Sequence, residues 1–109
     1  MTSIATTPSA SYHRNNKVLI EGTIKKFKWT NPHSWIFIEV PNGKGGADEW
    51  ALECGSIAQL KNIGWTRELV NEGSKVKIVA IIARDGSKRG EVQTLFNAQG
   101  KQFKNAIGY

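Results

Sequence analysis

The residues with most chemical potential in this chain are aromatic and basic, and they cluster. Trp29, Trp35 and Phe37 fall within one short stretch, KFKWTNPHSWIFIEV, and Trp50 follows in EWALEC. Such rings stack on bases, sugar rings or flat apolar ligands, and one stacked base is worth about 1–3 kcal/mol. The competing use is to close the end of a small barrel, which suits Trp50 best because it shares strand parity with Leu52. Arg84, Lys88 and Arg89 crowd into RDGSKRG, where they suit a phosphate or carboxylate, or simply a solvated turn built on Asp85-Gly86. Asn31 and His33 flank Pro32 and suit either turn capping or a polar contact with a ligand. The candidate ligand-binding set is therefore Trp29, Asn31, His33, Trp35, Phe37, Arg84, Lys88 and Arg89.

Other chemistries find little support. The chain has two histidines, one cysteine and one methionine, Met1, too few soft or imidazole ligands for a metal centre, and no cofactor is expected. No nucleophile, base and orienting group can be assembled, and Ser56 does not lie in a GxSxG turn. The expectation is a protein that is not an enzyme. Cys54 reads as a small buried hydrophobe.

The elements that must position these residues follow from periodicity. Residues 17–29 read as a long first strand with Val18, Ile20, Gly22 and Ile24 on one face, and Phe27 and Trp29 on the other parity. A bulge near residues 22–26 reconciles the two. Residues 30–33 form a turn, and residues 34–40 a second strand with Ile36, Ile38 and Val40 inward and Trp35, Phe37 and Glu39 outward. The loop 41–48 leads to a third strand, 49–54. Ser56 and Gln59 then form a capping box for a helix that Gly64 can end, with Ile57, Leu60 and Ile63 as its buried stripe. Strands follow at 75–83 and 91–96, joined by the turn 84–90, and residues 101–104 can add a short edge. Three strands, a helix and two strands is the order of an OB-type Greek-key barrel, so the expected class is all-β with one short helix and five barrel strands. Residues 1–16 are polar and read as a flexible arm, leaving 17–109 as one domain.

The chain has 109 residues and a net charge of +6. The excess is uneven: residues 1–54 hold six basic and five acidic groups, and residues 55–109 hold nine and four. That field favours anionic partners. No apolar run approaches a membrane span, and the first residues lack the apolar core of a signal peptide, which fits a cytoplasmic protein if Met1 is the true start.

Residues 18–104 resemble an uncharacterised family of small exported bacterial proteins, the domain-of-unknown-function family 6152. The resemblance rests on EGTIKKFKWTNPHSWIFIEV, EWALECGS, the Gly64-Trp65 pair and ARDGS at 83–87. It implies a periplasmic or secreted small β-barrel of unestablished role. The expected function is a non-catalytic binding module holding an unknown small ligand or protein partner on the face of strands two and three, where OB barrels bind. One alternative is a cytoplasmic binder of single-stranded nucleic acid, against which Glu21, Glu39, Glu49 and Glu53 interrupt a positive groove. The other is an assembly subunit that adds strands through residues 91–104 or the arm.

Overall fold

The computed structural model describes residues 12–106. Six strands and one helix follow in the order β1 (Tyr12–Lys28), β2 (Trp35–Pro41), β3 (Ala47–Glu53), α1 (Ile57–Asn62), β4 (Lys75–Ala83), β5 (Arg89–Phe96) and β6 (Gln102–Lys104). The sheet runs β3-β2-β1-β4-β5-β6, and a further pairing of β3 with β5 closes the first five strands into a barrel. That closing contact is parallel, Ala51 to Arg89 through Glu53 to Glu91, whereas all other neighbours are antiparallel. The result is an all-β, five-stranded OB-type barrel with one short helix and an added edge strand.

β1 is long because it serves two neighbouring strands in turn. Its first part pairs with β4 as far as Thr23, opposite Lys75, and its last part pairs with β2 as far as Lys28, opposite Trp35. The handover is a bulge between Ile24 and Lys26, where the parity of the sequence changes. Ile24 is 1% exposed and faces in, Lys25 and Lys26 are both exposed, and Phe27 turns back toward the core. Consecutive outward lysines are what one extra residue produces in a strand of period two.

The interior is filled by alternate residues of the strands. Ile20, Ile24, Ile36, Ile38, Leu52, Val76, Ile78, Ala80, Val92 and Leu95 form its centre, and Trp50 packs against them from β3. Ile82, opposite Gly90, also packs there but is only partly buried. Cys54 is fully buried, and burial, aided by the Glu53 charge, pushes its thiol pKa far up. A thiolate is the reactive form. Ellman's reagent is therefore expected to leave Cys54 unmodified in the folded protein and to titrate one thiol after addition of denaturant.

Several strand boundaries differ from the sequence reading, the start of β1 most. β1 starts at Tyr12 rather than at residue 17, because Tyr12 pairs with Ala83 after an irregularity that spans the residues before Lys17. Of the arm expected over 1–16, residues 1–11 lie outside the described residues. β5 begins at Arg89 rather than 91, because the parallel contact with β3 recruits Arg89 and Gly90.

The helix carries the main correction. Its capping box is present: Ser56 Oγ accepts from the Gln59 amide at 3.2 Å, and Gln59 Oε1 accepts from the Ser56 amide at 3.0 Å. The expected stripe Ile57, Leu60 and Ile63 is not buried as a unit. Only Leu60 is; Ile57 is partly exposed and Ile63 is 45% exposed. The helix stops at Asn62, Ile63 is its C-cap, and Gly64 at φ +99° reverses the chain. Trp65, 1% exposed, takes the place that Ile63 would have filled. Its amide donates to Leu60 O at 2.9 Å, and its indole N–H donates to Lys104 O at 2.9 Å.

Candidate functional site on the outer face of the second and third strands

Pairing between strands fixes which side chains share the outer face. Trp35 and Phe37 are two residues apart on β2, so they point the same way, about 6.6–6.8 Å apart along the strand. On one side Lys28 stands opposite Trp35 and Lys26 opposite Phe37. On the other side Glu53 stands opposite Trp35 and Ala51 opposite Phe37, and beyond them lie Glu91 and Arg89 of β5. The face is thus two rows, each led by an aromatic ring beside a lysine. Both rings are partly buried, whereas Ile36 and Ile38 between and beyond them are wholly buried. A shallow groove of about 340 Å³ lies along this face, lined by Lys25, Lys26, Lys28, Phe37 and Glu49.

The acidic residues here are engaged locally. Glu39 and Glu49 stand opposite each other, a like-charge pair that repels across the strands. Lys25 bridges them, 3.2 Å from Glu49 and 3.6 Å from Glu39. The hydrogen bond and charge of Glu49, then the charge of Glu39, raise the Lys25 pKa above its ordinary value. Glu53 is paired with His33 Nδ1. Lys26 and Lys28 have no ion-pair partner among the described residues.

Two loops bound the face. The loop between β1 and β2 contains the cis Asn31–Pro32 bond and is held at both ends. Asn31 Oδ1 accepts from the Ile57 amide at 3.0 Å, tying the loop to the start of α1. Ser34, wholly buried, donates from Oγ to Thr30 O at 3.2 Å and receives the Thr30 amide at 3.3 Å. The loop between β4 and β5 turns on Gly86 at φ +87°. There Asp85 Oδ1 accepts from the Ser87 amide at 2.9 Å and the Ser87 hydroxyl at 2.6 Å, which lowers the Asp85 pKa. Lys88 O receives the Ala51 amide at 3.1 Å and its ammonium lies 3.9 Å from Asp48, so this loop is pinned to β3.

Of the residues expected at the site, His33, Trp35, Phe37, Lys88 and Arg89 belong to this face or its two margins. Arg84 follows the end of β4 and is partly buried. Asn31 is used in tying its loop to the helix. Trp29 is placed differently. It packs against the core and meets Phe27 edge-on at 5.6 Å, in a chain of rings that continues through Trp65 to Phe103. Lys25, Lys26 and Lys28 are not among the candidates drawn from sequence; their only signal is the parity change in KKFK, whose bulge puts them on the same face as Phe37. Among the described residues no three His, Cys, Asp or Glu side chains gather as a metal site, and no helix is long and apolar enough to cross a membrane.

A family model, described as a family of unknown function (DUF6152), matches residues 1–93. The chain belongs to that family. The match spans all of β1 to β4 and the start of β5, and so includes every residue of the face described above. No curated protein and no solved structure matches the chain.

Proposed function

We propose that this member of the family is a non-catalytic binding module that takes a ring-bearing anion, free or displayed on a partner, on the outer face of β2 and β3. One observation carries the reading: Trp35 and Phe37 form an outward pair with a lysine in register beside each ring. Rings supply stacking area at little entropic cost, and the lysines select negative charge. The two bounding loops are already fixed by hydrogen bonds, so little ordering opposes binding. The resemblance to exported proteins supports a periplasmic or secreted site of action.

A usable probe is pyranine, a flat trisulfonated pyrene. Its equilibrium titration is expected to saturate, and the W35A/F37A double variant to bind at least about tenfold more weakly, since each ring contributes on the order of 1 kcal/mol or more. Lys26→Glu with Lys28→Glu is expected to weaken binding and flatten its salt dependence. Affinity unchanged in both double variants contradicts the reading.

A second reading, single-stranded nucleic acid, is favoured by Lys25, which bridges Glu39 and Glu49 and offsets one of the two charges that would otherwise face a phosphate chain. Under it, oligothymidylate binds with affinity that falls steeply with salt, by about 0.7 in log–log slope per phosphate contacted. Strand addition has less to work with: β5 is paired on both sides, and β6 is three residues long with the Lys104 carbonyl already held by Trp65.

A further inference from the structure

A second concavity lies apart from the aromatic face and shares no residue with it. It has a volume of about 880 Å³ and sits where the middle of β1, the end of β2, the start of β4 and the turn from β5 to β6 meet. That volume is within the range of small-molecule sites, roughly 300–1,000 Å³. Phe96 and Pro41 give it apolar wall. Lys75 and Lys77, on alternate positions of β4 and therefore on one face, give it two exposed ammonium groups. Neither lysine has an ion-pair partner among the described residues. Glu21, opposite Lys77 on β1, is the one acid in the lining, so the lining carries one positive charge in excess.

The far wall is rigid by construction. Asn97 Oδ1 accepts from the Gln99 amide at 3.0 Å and the Lys101 amide at 2.8 Å. The Asn97 amide donates to Lys101 O at 3.1 Å, and the Gly100 amide to Asn97 O at 2.9 Å. The turn satisfies its own polar groups, so it keeps its shape without an occupant. At the opposite wall Gly22 lets β1 lie close against β2: a Cβ on it would run into Glu39 O and lie 3.0 Å from a side-chain carbon of the buried Ile38.

We propose that this groove is a separate binding site for a small amphipathic anion, an apolar or aromatic body bearing a carboxylate or sulfonate. The body lies against Phe96 and Pro41, and the acid group bridges Lys75 and Lys77. This site does not depend on the reading of the aromatic face.

The test uses 1-anilinonaphthalene-8-sulfonate with ¹⁵N-labelled full-length protein. Saturable amide shifts are expected at residues 75–77 and 96–100. Lys75→Glu with Lys77→Glu is expected to weaken the binding reported by those amides about tenfold, each exposed charge contact being worth on the order of a factor of three. Glu21→Gln is expected to strengthen it. The W35A/F37A variant is expected to show the same shifts at 75–77 and 96–100 as the wild type. Shifts that avoid these residues overturn the proposal. So does equal occupancy of them by neutral N-phenyl-1-naphthylamine, or binding that ignores both Lys75→Glu/Lys77→Glu and Glu21→Gln.

Discussion

Replacing Gly90 by valine is expected to cost at least about 3 kcal/mol of stability, more than any surface substitution in the chain. Gly90 sits at the seam of the barrel, opposite Ile82 of β4 and Leu52 of β3 at once. A Cβ built there would collide with the Ile81 carbonyl oxygen and lie 3.0 Å from the Ile82 Cα and 3.1 Å from the Ile81 carbonyl carbon. All three atoms are backbone, so no rotamer change relieves the contact. β5 must move away from β4, and the parallel hydrogen bonds to β3 are lost with it. Gly90 has no positive φ, so the requirement comes from close approach of backbones and not from conformational freedom. Denaturant unfolding monitored by tryptophan fluorescence reads the change. A loss below about 1 kcal/mol would show that the seam is looser than the contacts imply.

Trp65→Ala is the second large effect, expected at about 3–5 kcal/mol. The indole is 1% exposed, lies 6.4 Å from the rings of both Phe27 and Phe103, and donates to Lys104 O. It therefore joins β1, the turn after α1 and β6. Truncation opens a cavity beside the Phe27 and Phe103 rings and leaves the Lys104 carbonyl without its donor. Trp65→Phe separates the two contributions: it keeps most of the packing and removes the hydrogen bond, worth about 1 kcal/mol. Equal losses for the alanine and phenylalanine variants would assign the effect to the hydrogen bond instead. Because Lys104 is the last residue of β6, local opening of β6 in hydrogen exchange is expected in both variants.

Much of this fold was legible because the strands alternate cleanly. Ile36 and Ile38 against Trp35 and Phe37 fix the two faces of β2 without any tertiary information, and the capping box at Ser56 and Gln59 marks the helix start. The parity break after Ile24 announced the bulge, but not that the bulge would put Lys25 and Lys26 side by side on the outer face. What sequence could not supply was competition for space. Ile63 has the right spacing to be buried, yet the helix ends one residue before it, and the larger Trp65 takes the interior position. Trp29 and Trp35 look alike as candidates in the sequence; parity across the bulge sends one to the ring chain and the other outward. The partnership of His33 with Glu53, and of Lys25 with Glu39 and Glu49, depends on strand register that local patterns do not encode. That register also sets Lys25 between Glu39 and Glu49, two of the four acids that interrupt a positive surface, and offsets one of their two charges.

The outward pair Trp35 and Phe37, with Lys28 and Lys26 beside them, is the proposed binding surface. The most direct measurement is a residue-resolved ¹H–¹⁵N titration of the full chain with pyranine. The predicted result is a saturable set of shifts centred on the Trp35 indole N–H and the amides of residues 26, 28, 37, 51 and 89, absent in W35A/F37A. A titration in which those signals stay fixed up to probe saturation, whatever moves elsewhere, contradicts the claim.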